Sequence, residues 1–164
     1  MTEQPATTIS IDINQQILSL FVAGEQVITY PVCTAKNGVG EAFGSECTPR
    51  GRHIIRAKMG DDAEVASVFV GRRLTGEIHQ QSLTDAEPDK DWILSRILWL
   101  SGLEKGKNRL GQVDTMRRYI YIHGAPDELV SATPSSHGCI RMKNADVIDL
   151  YKRVSVGTVV SINE

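Results

Sequence analysis

Two imidazoles, one thiol and one guanidinium stand close together in this chain, in Tyr119-Ile-Tyr-Ile-His123-Gly124 and Ser135-Ser-His137-Gly-Cys139-Ile-Arg141-Met142. Few structural needs ask for that combination. A free thiol is mostly protonated at neutral pH, and a neighbouring imidazole can take its proton or stabilise the thiolate. His123 ends one face of an alternating run, Tyr119, Tyr121 and His123 against Ile120 and Ile122, which has the period of a half-buried strand. His137 and Cys139 share a face if their run is extended. A loop with Pro126, Pro134 and several serines lies between the two runs and could fold back to bring them together.

Gly138 clears the approach to the backbone before Cys139, and the amides of Gly138 and Cys139 could face a developing oxyanion. Arg141, on the same face in an extended chain, could pair with a substrate carboxylate. Ser136 and Tyr121 are the remaining candidates for substrate contact. These parts suit acyl transfer through a thioester. Two other readings stand beside it. Cys and His are often plain buried residues, and two His with one Cys can ligate zinc. No fourth ligand or paired-ligand spacing is evident nearby, so catalysis is the expectation, with no metal and no cofactor.

The run Ile122-His-Gly124 followed by Ser136-His-Gly-Cys-Ile-Arg-Met142 resembles the signature of the L,D-transpeptidase catalytic domain, the YkuD-like family. The likeness extends to Thr8–Asp12, Tyr30–Thr34, Lys36–Gly38, Thr48-Pro-Arg-Gly51, Asn144–Tyr151 and Val156–Val160, and fades over residues 60–115. The resemblance implies that Cys139 is a nucleophile and His123 its general base. It places the Gly124 carbonyl where it orients that base, His137 where it holds or polarises the thiol, and Arg141 at the family's usual arginine. Cys33 stands where the family more often has serine or threonine, and no role attaches to it. The implied reaction is attack on the L-centre carbonyl of a diamino acid in a peptidoglycan stem peptide, with D-alanine leaving.

The elements that must position these residues are mostly strands. Ile9, Ile11 and Ile13 alternate with polar residues, and runs 17–22 and 27–30 continue a meander through turns at 14–16 and 23–25. Asn37–Ser45 is a glycine-rich connection without a phosphate-binding spacing. His53–Ala57 reads as a short strand with His53 on its surface. Residues 65–70 and 74–79 form a hairpin about Gly71-Arg72-Arg73, and 83–90 reads as an acidic loop. Trp92–Leu100 fits strand or helix, with strand favoured by its surroundings. Arg72, Arg73, Arg117 and Arg118 could supply positive potential for an anionic peptide, although solvated charge is their default reading. Asn144 is positioned to cap a helix whose stripe is Val147, Ile148, Tyr151 and Val154. The expected fold is mainly β, sandwich-like, with one late α-helix.

The 164 residues suit one catalytic domain, 1–164. A net charge of −2 argues against nucleic acid or an anionic membrane as partner. Three cysteines without metal-like spacing suit a reducing compartment. Met1–Thr8 has no signal-peptide character, and no stretch approaches a membrane span, so the expectation is a cytoplasmic protein. Together with the motif, this points to an L,D-carboxypeptidase that removes D-alanine from soluble peptidoglycan tetrapeptides or muropeptides. The alternatives are an L,D-transpeptidase with the same residues and a non-catalytic muropeptide-binding module.

Overall fold

The computed structural model describes residues 3–164, so the first two residues of the Met1–Thr8 stretch lie outside the described residues. The expected meander is β1 (Thr7–Asp12), β2 (Ile17–Val22) and β3 (Glu25–Cys33). Its second turn is two residues long, Ala23 and Gly24, both with positive φ (53° and 79°). That conformation matches the twist of a tight hairpin. β4 (Gly51–Met59) follows the glycine-rich loop, and β5 (Ser67–Val70) with β6 (Arg73–Ile78) makes the second hairpin. Its turn, Gly71 and Arg72, also has positive φ at both positions.

Beyond β6 the chain departs from expectation, because Gln81–Ala86 forms a short helix, α1, that runs into the 83–90 stretch read as loop. β7 (Ile93–Gly102) settles the ambiguous Trp92–Leu100 run as strand: Leu94, Ile97, Leu98 and Leu100 are fully buried. β8 (Tyr121–Gly124), β9 (Ile140–Met142), α2 (Asn144–Arg153) and β10 (Val159–Asn163) complete the chain.

The strands form one ten-stranded sheet in the order β4-β10-β1-β2-β3-β9-β8-β7-β5-β6, and β4 pairs again with β7. That extra pairing closes the strands from β4 to β7 into a barrel-like ring and leaves the β5–β6 hairpin as a flap on β7. Closure removes the open edges of those strands. The mainly β fold with a principal late helix is as expected.

Inside the ring, Ile9, Ile11, Leu18, Leu20, Val32, Leu98, Ile122, Ile140 and Met142 make one apolar cluster. α2 adds Val147, Leu150 and Tyr151 to it and Val154 follows at its end; Ile148 packs half-buried against the cluster, and Leu150 joins the expected stripe. The helix is also capped differently. Lys143 occupies the cap position without a side-chain bond, and the Asp127 carboxylate accepts the Asn144 N–H at 2.9 Å. Asn144 instead turns its amide back, donating to the Ala125 carbonyl at 3.1 Å and accepting from Ser95 Oγ at 2.5 Å.

Candidate active site

β8 and β9 run parallel, with Ile122 opposite Ile140 and His123 opposite Arg141. Alternation along each strand divides their side chains between two faces. Ile122, Ile140 and Met142 point into the barrel core. Tyr121, His123, Cys139 and Arg141 therefore lie on the outer face, where Phe69 from the flap and Ile97 and Trp99 from β7 pack around Tyr121 and Cys139. The parallel pairing thus places His123 and the segment that carries Cys139 side by side.

His123 is fully buried. Its Nδ1 lies 2.7 Å from the Gly124 carbonyl oxygen, an acceptor only, so the ring proton sits on Nδ1. Nε2 is then the lone-pair nitrogen, and it has no hydrogen-bond partner. Burial lowers the pKa of His123, opposed by the charge of Asp91 and the Gly124 bond, which keeps the ring neutral. Gly124 is required here because a Cβ would meet the Leu94 carbonyl oxygen at 2.4 Å. That close approach adjoins a bulge in β7, where the register to β8 shifts between Leu94 and Ile97 and Ser95 takes φ 68°.

The Cys139 sulfur accepts the Tyr121 N–H at 3.3 Å, and its S–H points to the Tyr119 carbonyl at 3.4 Å. Burial pushes the thiol up to about 12, against the pull of the Tyr121 N–H and of Arg141 and Arg118. Both partners are therefore neutral at rest, and the free Nε2 is ready to accept a proton.

Residues 137–139 form a bend rather than an extended run, with Gly138 at φ +128°. His137 and Cys139 do not share a strand face as expected; His137 is exposed and lines a cleft of about 230 Å³ with Tyr119, Arg117 and Arg118. A side chain at Gly138 would be strained and would come within 3.2 Å of the Cys47 carbonyl oxygen. The Gly138 N–H is already given to Ser136 Oγ at 3.2 Å, so it is not a free oxyanion donor. Ser136 Oγ donates in turn to the Cys139 carbonyl at 2.6 Å, and Thr48 Oγ1 donates to the Gly138 carbonyl at 3.0 Å. Ser136 is buried and braces the bend, in place of the expected substrate contact. Among the described residues, no acceptor takes the Cys139 N–H, which remains the amide available to an oxyanion.

Arg141 also departs from expectation. It is buried, with Nη2 2.9 Å from Asp91 Oδ1 and Nη1 donating to Ser135 Oγ at 3.2 Å. Its Nε has no hydrogen-bond partner, and Arg141 is not among the residues that line the cleft with His137. Tyr121 is buried as well, and its hydroxyl accepts from Arg72 at 3.0 Å. Arg72 stacks over Trp99 and Tyr119, a placement set by the hairpin turn at Gly71 and Arg72. Sequence reasoning passed over Asp91, which lies between the 83–90 loop and the Trp92–Leu100 run, and Thr48, read only as part of a turn. Their partners lie 50 and 90 residues away, and no local pattern encodes such distances. Among the described residues, no three His, Cys, Asp or Glu side chains gather as a metal site. No helix among them is long and apolar enough to cross a membrane, a statement that leaves strands aside.

A thiol just before β9 and a buried neutral imidazole in β8 mark a candidate cysteine–histidine site on a mainly β frame. Residues 6–162 match the model of the YkuD family, the L,D-transpeptidase catalytic domain, and the chain belongs to that family. Solved structures share the fold. An L,D-transpeptidase from Xylanimonas cellulosilytica superposes with TM-score 0.57 at 18% identity, over 99% of this chain and 63% of that one. One from Mycobacterium smegmatis gives TM-score 0.55 at 18% identity, over 98% and 59%. L,D-transpeptidase 3 from Mycobacterium tuberculosis, in complex with a faropenem-derived adduct, gives 0.57 at 16% identity, over 98% and 61%. This chain thus spans about three-fifths of the length of those chains. No curated protein matches it.

Proposed function

We propose that this protein is a thiol-dependent acyl transferase acting on peptidoglycan stem peptides, with water as its acyl acceptor: an L,D-carboxypeptidase. The observation that supports the chemistry is a Cys139 thiol just before β9, on the face of the β8–β9 pair that carries the buried His123, whose Nε2 has no hydrogen-bond partner. His123 Nε2 takes the Cys139 proton as sulfur attacks the scissile carbonyl, and the oxyanion forms beside the Cys139 N–H. The C–N bond breaks, the imidazolium returns the proton to the leaving amine, and a thioester remains. Water, deprotonated by the same Nε2, then releases the acid and restores the thiol. The Gly124 carbonyl holds the tautomer throughout.

Family membership favours the L,D-linked stem peptide as substrate. Hydrolysis is favoured by the three free thiols, Cys33, Cys47 and Cys139, which suit a reducing cytoplasm where no polymeric wall supplies an amine acceptor. The alternative is transpeptidation, which uses the same residues and differs only in the acceptor. Incubation with a disaccharide tetrapeptide and excess D-amino acid, read by mass spectrometry, separates them. We expect loss of one alanine with little exchange. Dominant exchange or dimer formation would overturn hydrolysis in favour of transpeptidation, and an absence of product would overturn both.

A further inference from the structure

The cleft beside the thiol carries more positive than negative charge, with two guanidiniums among its lining residues. Phe43 and Glu46 of the glycine-rich loop segment line it together with Arg117, Arg118, Tyr119 and His137. Tyr119 joins this cleft to the reacting sulfur, since its carbonyl accepts the Cys139 S–H. Glu46 is the one carboxylate among those lining residues, against two guanidiniums.

The two arginines are held differently. Arg118 donates to the Gly40 and Glu41 carbonyls at 3.3 Å, to Ser45 Oγ at 3.2 Å and to the Cys47 carbonyl at 2.7 Å. It fastens the glycine-rich loop segment that also lines the cleft. Its charge also reaches the thiol and opposes the effect of burial there. Arg117 is exposed, and its guanidinium enters no ion pair among the described residues. Its backbone is fixed, because the Arg117 N–H donates to Asp114 Oδ1 at 2.9 Å. Arg141, the arginine expected to meet a substrate carboxylate, is buried on Asp91.

We propose that Arg117, on the loop shaped by Arg118, binds a free carboxylate of the peptide substrate and so selects acidic peptides over their amides. This deepens the proposed function and rests on its assignment of a peptide substrate. A planar guanidinium meets a carboxylate through two parallel hydrogen bonds, and an amide offers neither that geometry nor the charge. The carboxylate has two sources in such a peptide, the C-terminus and the diamino-acid side chain, and the Arg117 chemistry is the same for both. Arg118 is a positioning residue, since its donors are already committed to the loop.

The test is binding by the full-length Cys139→Ala protein, which cannot turn over, read by calorimetry. The probes are the tetrapeptide with both carboxylates free, its C-terminal amide and its side-chain amide. We expect one amidation to weaken binding by on the order of 10-fold to 100-fold, and the affected amide identifies the carboxylate that is read. Adding Arg117→Ala should abolish that difference, whereas Arg118→Ala should weaken all three probes alike. Equal affinity for all three probes, no binding of any, or undiminished discrimination with Arg117→Ala would each overturn the proposal. Turnover by the intact enzyme is scored separately. Discrimination without product would leave the carboxylate site standing and remove the acyl-transfer reading; product without discrimination would do the reverse.

Discussion

Two of the chain's histidines, His53 in β4 and His123 in β8, are fully buried, and burial lowers the pKa of both. Each places Nδ1 against a backbone carbonyl, Gly51 at 3.0 Å and Gly124 at 2.7 Å. They differ at the other nitrogen. His53 Nε2 meets Thr115 Oγ1 at 3.0 Å, while His123 Nε2 meets nothing. An unsatisfied buried nitrogen carries a desolvation cost of about 1–3 kcal/mol. The open nitrogen of His123 is the one to which the proposed function gives the thiol's proton, and His53 has no such open nitrogen. His53 is thus a core residue in the ordinary sense, and the surface position read from its sequence is corrected: its strand is covered by the Thr115 segment.

The sharpest test of this contrast is activity. His123→Ala and Cys139→Ala should each lower kcat by on the order of 10⁴-fold while the protein stays folded, measured by product formation and circular dichroism. His53→Ala should retain kcat at permissive temperature. It should cost about 2–4 kcal/mol in denaturant unfolding, since it opens a cavity and strips the Gly51 and Thr115 groups of their partner. Loss of turnover in folded His53→Ala would collapse the distinction.

Acid should expose the structural imidazole next. The His53 pKa falls from its ordinary value to about 4 because burial disfavours the charged ring. A pKa depressed by folding contributes stability that is present above the unfolded value, near 6.5, and lost as pH falls below it. Unfolding free energy should therefore fall between about pH 6.5 and pH 4, with a total near 3 kcal/mol from His53, and His123 adds to it in the same direction. His53→Gln should flatten that slope, and an unchanged slope would assign it to other groups.

The thiol's resting state gives a third prediction. With its pKa pushed up to about 12 by burial, Cys139 should alkylate with iodoacetamide at pH 8 on the order of 100-fold or more slowly than a free cysteine. Peptide mapping checks this, and labelling at the free-cysteine rate would mean that the thiolate forms without substrate. The smallest effect concerns the ion pair beside the site. Asp91→Asn should cost about 1–2 kcal/mol, reduced from a fully buried pair because Asp91 is one-third exposed (33%), while Arg141 is left without its counter-charge. Thermal unfolding reads it.

Much of the frame was legible beforehand, because strand alternation and turn residues are local. The meander through β3, the hairpin at Gly71, and the helix after Lys143 all follow from spacing and turn chemistry. The Gln81–Ala86 helix escaped because it is one short turn without caps or buried residues, and a few polar residues carry no periodicity. The cap of α2 escaped because its acceptor, Asp127, comes from before the Pro134 loop.

At the candidate site, residue types and motif order pointed to Cys139 and His123, since few other needs place a thiol and an imidazole in such a setting. What each remaining residue does was decided by the tertiary structure. Parallel pairing of β8 and β9 sets which side chains share the outer face. The positive φ of Gly138 turns His137 off the Cys139 face and gives the Gly138 amide to Ser136. Asp91, from before β7, occupies Arg141, leaving Arg117 as the exposed guanidinium of the cleft. The physical reason is the range of the interactions: chemistry and alternation are properties of neighbouring residues, whereas hydrogen-bond partners and counter-charges are assigned only when distant segments close the ring.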